Sequence, residues 1–242
     1  GELGLVVRQG DAAPGTANSV PFTGFFELAI SPTGEVAFQG RLGDSGQPAG
    51  IWRGTGPTDL RAVALNGRAS GRVPQPTNLG VSVSLGSFSA PVFTKPGDLL
   101  FGAGGGLIRS AIWLDDGGIL RTVVRGPLYS EDSITEVMPG DDATDTGGTF
   151  LTIGEFVANG EGRIAFVANS TVRDVDAVWA QDSLGVPRFV GQLGDTIDTG
   201  DGTEIIRTIS FLSGRGNVSG YGSGFGDSFE LAVAITFQSG RA

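Results

Sequence analysis

The chain has 242 residues, including 42 glycines and 12 prolines, no cysteine and no histidine, and its net charge is -10. The lack of cysteine and histidine excludes Ser-His-Asp and Cys-His catalysis and zinc sites that use these ligands. The acidic charge disfavours nucleic-acid binding, and no apolar run approaches the ~20 residues that a membrane-spanning helix needs.

Short apolar runs separated by Gly- and Pro-rich turns predict an all-β fold. The clearest unit predicts four antiparallel strands, at residues 25–30, 35–42, 49–53 and 60–65. Strands this short, joined by tight turns, form one small sheet. No window shows sustained helical spacing of apolar residues behind a cap, so we predict no helix.

Similar units follow along the chain. The second unit predicts strands at residues 81–85, 98–101, 111–114 and 120–124. The third unit predicts strands at residues 150–153, 163–167, 177–179 and 188–192. The fourth unit predicts only two strands, at residues 205–211 and 229–237.

The only three tryptophans mark the third strand of the first three units. They are Trp52, Trp113 and Trp179, and the strand before each one carries Phe38, Phe101 or Phe166. A motif that recurs about every 60 residues indicates a repeat architecture. We expect these aromatic residues to occupy equivalent core positions, because each lies within an apolar strand. The alternative is a platform that stacks against carbohydrate.

The N-terminal residues 5–11 share their pattern with residues 62–68 and 189–195. Each of these two segments begins within the predicted fourth strand of its unit and runs into the turn that follows it. A chain that begins with strand four and ends after strand two predicts a β-propeller-like ring of about four four-stranded antiparallel blades, closed by the N-terminal strand. We assign residues 1–242 to a single β-repeat domain, with units at approximately 16–71, 72–130, 140–195, and 196–242 completed by 1–15. The alternatives are an open stack of sheets and a sandwich.

The closing blade has no third strand with a tryptophan in this sequence. Either a further segment or another chain supplies that strand, because unpaired strand edges recruit partners. We therefore predict that the terminal strands 3–9 and 230–237 mediate either ring closure or strand exchange between subunits.

Residues 159–168 match the pattern Asn-x-x-Gly-x-x-Ala-Phe-x-Ala in full, and residues 34–42 match most of its extended form ending in x-Leu. These segments resemble a bacterial family of exported tandem-repeat proteins named for this motif and common in planctomycetes. The loop 10–15 is similar to the Gly-Asp-x-x-Pro-Gly connector of that family. The resemblance implies a secreted or cell-surface location. It carries over no activity and no catalytic residues.

Two acidic loops, at residues 140–147 and 194–202, occupy the same place in successive units. Each offers three carboxylates and several backbone carbonyls, the hard oxygen ligands that Ca²⁺ takes. The predicted calcium ligands are Asp141, Asp142, Asp145, Asp195, Asp198 and Asp201. The alternative is a solvated Asp/Gly turn, because neither loop has EF-hand spacing and aspartate is common in turns for backbone reasons.

The glycine run 102–106 precedes neither a helix pattern nor a lysine, so we predict a flexible hairpin loop there and not a phosphate loop. No carboxylate pair stands out as a catalytic acid and base. We therefore predict no enzymatic activity, and no cofactor other than calcium.

The predicted function is that of an exported structural or adhesive β-repeat protein that self-associates through its terminal strands into surface or extracellular polymers. The alternative is a carbohydrate-binding or carbohydrate-active propeller that uses carboxylates. A surface polysaccharide is the partner that this alternative implies.

Overall fold

A computed structural model describes most of the chain. The described residues are 4–16, 19–43, 49–66, 85–94, 97–129, 136–138, 140–143, 147–211, 225–226 and 230–238. Within them the chain is all-β and antiparallel in its sheets, as the sequence predicted, and it forms no α-helix. The search for a helix long and apolar enough to cross a membrane finds none in these segments.

The first sheet has four strands that neighbour one another in chain order. They are β1 (Phe22–Ile30), β2 (Val36–Leu42), β3 (Gly50–Gly54) and β4 (Arg61–Leu65). Gly34 allows the tight turn between the first two strands, because its φ of +86° is costly for residues with a side chain. All four strands predicted for this unit are present.

The second sheet has seven strands. They are β5 (Ser87–Phe88), β6 (Val92–Phe93), β7 (Asp98–Gly105), β8 (Ile108–Asp116), β9 (Ile119–Arg125), β10 (Leu128–Tyr129) and β11 (Glu136–Met138). The first strand predicted here at residues 81–85 is misplaced. Leu85 forms only an isolated parallel bridge with Asn66, and residues 81–84 lie outside the described residues. The strand that pairs with β7 is instead split into β5 and β6, on either side of a segment that contains Pro91.

The third and fourth sheets have five and three strands. The third consists of β12 (Asp142–Ala143), β13 (Gly148–Ala158), β14 (Ile164–Ser170), β15 (Arg173–Gln181) and β16 (Pro187–Gln192). The fourth consists of β17 (Thr196–Asp198), β18 (Thr203–Phe211) and β19 (Val233–Phe237). β19 is shorter than the predicted strand at 229–237, of which residue 229 lies outside the described residues.

The same phenylalanine–tryptophan pair occurs in three sheets. The directly opposed residues are Phe38 and Trp52, Phe101 and Trp113, and Phe166 and Trp179. All three tryptophans are 0% exposed, which confirms the predicted core positions and leaves these indoles unable to stack on a carbohydrate.

A bulge follows each tryptophan at the same place. One extra residue in the fourth strand interrupts the pairing with the tryptophan strand, and in the three sheets it is Val63, Val123 and Val190. A bulge bends the strand and increases its twist. The three sheets therefore share register and local curvature, features that strand prediction does not provide.

Alternation along the strands gives each sheet two different faces, because successive side chains point to opposite sides. We call the side that bears the phenylalanine and tryptophan the aromatic face. The other side, the aliphatic face, bears the residue before each of them: Ala37 and Ile51, Leu100 and Ile112, and Ala165 and Val178.

The aliphatic face of one sheet packs against the aromatic face of the next. Ala37 of the first sheet shares a core with Trp113 of the second. Ile112 of the second sheet shares a core with Trp179 of the third. The aromatic face of the first sheet has no sheet before it, and packs against N-terminal residues that include Val6.

The junction between the third and fourth sheets follows the same rule. Ala165 and Val178 share a core with Phe211 of β18. Strand contacts thus link the four sheets in chain order, from β1–β6 through β13–β8 to β13–β18. Among the described strands no comparable contact joins the fourth sheet to the first, and residues 4–8 belong to no strand. A closed four-bladed ring is not shown.

The glycine run of the second unit is only partly the predicted hairpin loop, because residues 102–105 lie within β7 and only Gly106 lies in the turn to β8. Gly102 and Gly104 lie within β7. A Cβ atom on Gly104 would lie 1.8 Å from the carbonyl oxygen of Arg109, and one on Gly102 would lie 2.8 Å from Oγ of Ser89. Glycine is needed here because neighbouring strands approach closely.

Candidate functional site: acidic connectors and a buried ion cluster

The polar residue of the Asn-x-x-Gly motif closes a hairpin turn. Asn159 is 1% exposed, and its Oδ1 accepts backbone N–H groups from Glu161 at 3.1 Å and Arg163 at 2.9 Å. Gly162 supplies the left-handed residue, with φ of +80°. Ser31 closes the corresponding turn of the first sheet, where its Oγ accepts a backbone N–H at 3.0 Å. The motif therefore stabilises the turn and leaves this amide oxygen no free role in ligand binding.

Three aspartates occupy equivalent places in the connectors between sheets. In each connector, a carboxylate oxygen of the aspartate accepts a backbone N–H from the segment that leads into it. This segment is the end of β9 for Asp141, the end of β16 for Asp195 and the N-terminal segment for Asp11. The acceptor and donor residues are Asp11 and Arg8 at 3.0 Å, Asp141 and Arg125 at 3.1 Å, and Asp195 and Gln192 at 3.1 Å. The carbonyl of each aspartate also accepts an N–H at 2.9 Å from the next strand, from Phe22, Phe150 and Ile206 respectively.

This shared geometry shows how residues 4–8 relate to the other connectors. Arg8 and Asp11 join the N-terminal segment to β1 in the way that Gln192 and Asp195 join β16 to β18. The sequence alignment of residues 5–11 with 189–195 is therefore matched by the local backbone. Pairing of this segment with β19 is not seen among the described residues.

The pKa values of two connector aspartates shift in opposite directions. The backbone N–H of Arg8 and then its guanidinium hold the pKa of Asp11 below its ordinary value. Burial raises the pKa of Asp141, and the Arg125 charge and backbone N–H only partly oppose this effect. The Nε of Arg125 lies 3.7 Å from Oδ1 of Asp141. The same backbone hydrogen bond is thus the leading cause of the shift at Asp11 and is outweighed by burial at Asp141.

The predicted calcium ligands are spread over different structural roles. Asp141 and Asp195 bind connector backbone, and Asp142 is exposed in β12. Asp198 accepts the N–H of Gly200 at 2.9 Å, and Asp201 is exposed in the same hairpin. Asp145 lies outside the described residues. The part of the chain that the structure describes holds no group of three or more acidic side chains placed to bind one metal ion.

A buried ion cluster joins the first and second sheets. Arg53 of β3 is 3% exposed and makes an ion pair with Glu35. Its Nη1 donates to Asp115 of β8 at 2.8 Å and to the carbonyl of Gly97 at 3.0 Å. Asp115 is 0% exposed and also accepts from Arg61 at 2.5 Å. The cluster therefore cross-links two sheets at their common interface.

The chemistry of this cluster is structural. Burial alone would lower the pKa of Arg53, but hydrogen bonds and charge from Glu35 and Asp115 raise it. The guanidinium is therefore permanently charged, and the Asp115 carboxylate is occupied by two arginines. A general acid or base has to come within reach of its substrate, and the Asp115 carboxylate is 0% exposed and held between two arginines. Sequence analysis missed the cluster, and its only signal is a charged residue directly after the buried Trp52.

A shallow recess lies at one end of the third sheet. It has a volume of about 440 Å³ and is lined by Val172, Arg173, Asp174, Val175 and Gln192. The Arg173 guanidinium lies 4.1 Å from the centroid of the Phe189 ring and donates to Oε1 of Gln192 at 2.5 Å. The recess holds no nucleophile with an adjacent base, so it does not form a catalytic site of that kind.

Comparison with known proteins identifies a family without an assigned function. Residues 1–69 and 128–242 match the model described as a family of unknown function, DUF7453. These segments contain the first, third and fourth sheets. No curated protein matches the sequence. The likeness to exported planctomycete repeat proteins stays a prediction. Because the matched segments make up more than half of the sequence, the chain belongs to the DUF7453 family.

Proposed function

We propose that this protein is an exported, non-enzymatic scaffold with a structural or adhesive role, which self-associates through its terminal segments at the cell surface or in extracellular material. The observation that supports this proposal is the open edge of the fourth sheet. β19 is paired with β18 alone in the described chain, whereas its counterparts β2, β7 and β14 are paired on both sides.

The exposure of Ile235, at the centre of that edge, supports the proposal. Ile235 lies opposite Ile209 in the place that Phe38 and Phe166 hold in their sheets. The two phenylalanines are at most 2% exposed beneath their tryptophan strands. Ile235 is only half-buried. An unpaired edge of this kind is a template for an added strand, which brings main-chain hydrogen bonds along its whole length.

The polar groups of the molecule support a non-enzymatic role. The motif asparagine, the connector aspartates and the buried ion cluster all serve backbone or inter-sheet contacts. The competing arrangement for the open edge is closure within one chain, into a four-bladed ring that uses residues 5–8. Both arrangements require the β19 edge, and they differ in the size of the particle.

The test is a proline in the edge strand. Gln238 donates its N–H to Ile205 of β18 at 3.0 Å, and N–H direction alternates along a strand, so the Ile235 N–H points to the open side. Ile235→Pro therefore removes an edge donor without removing a bond to β18. We expect this variant to remain folded and to lose self-association in sedimentation velocity, while the control Ile235→Val assembles as the wild type does. Equal assembly by both variants contradicts the proposal.

A carbohydrate-binding role is the second candidate, and it has one specific observation in its favour. Phe25 and Phe26 of β1 are 37% and 39% exposed, next to the carboxylate of Glu27. Exposed aromatic rings beside an acid are typical of glycan contacts. Affinity electrophoresis in gels with surface polysaccharide tests it, with Phe26→Ala compared with Leu184→Ala, which changes a side chain that is 81% exposed. If polysaccharide changes the migration of neither the wild type nor the two variants, this candidate is removed.

A further inference from the structure

We infer that the aromatic face of the first sheet docks on the aliphatic face of the fourth sheet of a second copy of this chain. The inference rests on the proposed self-association and names its contact. All three internal junctions pair an aliphatic face with the next aromatic face. Among the described residues, N-terminal segments that include Val6 cover only part of the aromatic face of the first sheet, and the aliphatic face of the fourth sheet contacts no further sheet.

The first open end is the aromatic face of the first sheet. Phe25 packs its ring on Phe38 at a centroid distance of 5.3 Å and is 37% exposed. Leu28 lies opposite Phe38 and is 60% exposed. Its counterpart in the third sheet, Phe156, packs in the core shared with the second sheet. The first sheet thus exposes side chains that a preceding sheet covers elsewhere.

The second open end is the aliphatic face of the fourth sheet. Ala234 lies opposite Ser210, as Ala165 lies opposite Val157 in the third sheet. Ala165 is 0% exposed and Val157 is 4% exposed, whereas Ser210 is exposed and Ala234 only half-buried. The fourth sheet thus leaves small side chains exposed at positions that the next sheet covers in the third sheet.

The two ends are complementary but do not cover each other in this molecule. Leu28 and Ser210 are exposed at the same time. A second copy can cover the aliphatic face of the first copy with its own aromatic face, which repeats the junction used three times within the chain. Such a contact is head-to-tail, and each added copy carries a further open end, so the product is a linear assembly.

The internal junctions also identify a residue pair. Phe156 of the third sheet lies against Gly102 of the second, with 3.8 Å between its ring and a Cβ built on the glycine. In the next junction, Ile209 and Val167 both pack against the core formed by the third and fourth sheets. Gly102 directly follows Phe101, and Val167 directly follows Phe166. Thr236 holds the same place in β19, because it directly follows Ile235. Leu28 of one copy is therefore expected beside Thr236 of the next.

Cysteine cross-linking tests this pair on a clean background, because the chain has no cysteine of its own. Leu28→Cys and Thr236→Cys proteins are prepared separately, mixed, and treated with a short bis-maleimide. We expect a covalent dimer from the mixture and far less from either protein alone. A mixture of Leu184→Cys with Thr236→Cys is the matched control and is expected to stay monomeric. Thermal melts of each variant check that it is folded.

The double variant Leu28→Cys/Thr236→Cys separates the two arrangements. A ladder of covalent oligomers supports head-to-tail docking. Cross-links confined to single chains indicate ring closure and overturn the inference, as does the absence of any cross-link in the mixture. If cross-links are absent but the wild type still assembles and Ile235→Pro does not, then strand addition stands as the proposed function and this docking contact alone is wrong.

Discussion

At the scale of single residues, charge is buried where two sheets meet. Arg53 and Asp115 are 3% and 0% exposed and come from different sheets. Buried ion pairs give little net stability when compared with apolar replacements, but removing one partner leaves an uncompensated charge. We therefore expect the cluster to fix how the first two sheets are oriented, because an arrangement that separates Arg53 from Asp115 leaves a buried charge unpaired.

Replacing Arg53 with methionine tests this role. Among the described residues, the change leaves the fully buried Asp115 with Arg61 as its one remaining ion-pair partner. We expect unfolding free energy to fall by about 3–5 kcal/mol, measured by denaturant titration. The matched control is Arg188→Met, which removes the exposed pair between Arg188 and Asp182, 2.9 Å apart, and should cost less than about 1 kcal/mol. Equal losses in the two variants contradict a special role for the cluster.

The connector Asp141 predicts a pH effect. Burial raises its folded pKa above the ordinary 3.8, so the folded state holds a proton to higher pH than the unfolded state. The protonated Asp141 carboxyl therefore stabilises the folded wild-type protein at pH values below 3.8, and this contribution is lost as the pH rises through the folded pKa. Asp141→Asn removes this titration.

We expect the stability of Asp141→Asn relative to wild type to be higher at pH 7 than at pH 3.5. Because the Asp141 side chain is 41% exposed, solvent screening keeps the difference small. The measurement is the melting temperature of both proteins across this pH range, with Asp142→Asn as the neighbouring control. A difference of the opposite sign shows that burial does not control this carboxyl.

At the scale of elements, the hairpin motif and the connector organise the structure. Ala-Phe and Ile-Trp dipeptides place small and large side chains on opposite faces, and a connector aspartate closes the joint to the next sheet. Since three of the six predicted calcium ligands, Asp141, Asp195 and Asp198, already accept backbone N–H groups, their carboxylates have a role without metal.

Calcium binding remains a prediction from the acidic loops, and chelation tests it. We expect the melting temperature to be the same in EDTA and in millimolar calcium, because these connectors are held by backbone hydrogen bonds. A ligand that binds only the folded state raises stability by mass action. A clear rise with calcium that Asp195→Asn abolishes would support the metal site instead.

The sequence predicts most strands because their apolar alternation and turn residues are local signals. The opposition of Phe38 to Trp52 is a matter of register, which these local signals do not determine. The cluster around Arg53 is not predictable in this way, because its partners come from strands far apart in the chain. The glycines at 102 and 104 mislead for a similar reason, since only the neighbouring strand shows that close backbone approach requires them.

At the scale of the whole molecule, four sheets pack in chain order, each aliphatic face against the next aromatic face. Among the described residues, the aromatic face of the first sheet and the aliphatic face of the fourth contact no further sheet. The net charge of -10 opposes association of copies through their surfaces. Contacts made by apolar faces and strand edges are therefore expected to strengthen as salt screens this repulsion. The acidic surface and the open ends together favour an assembly that depends on both concentration and ionic strength.

Sedimentation velocity of the purified wild-type chain over a series of concentrations, at low and at high salt, tests the central claim most directly. The account predicts species larger than a monomer whose proportion rises with concentration and with salt. A single monomeric species at every concentration and both ionic strengths would contradict self-association through the terminal sheets.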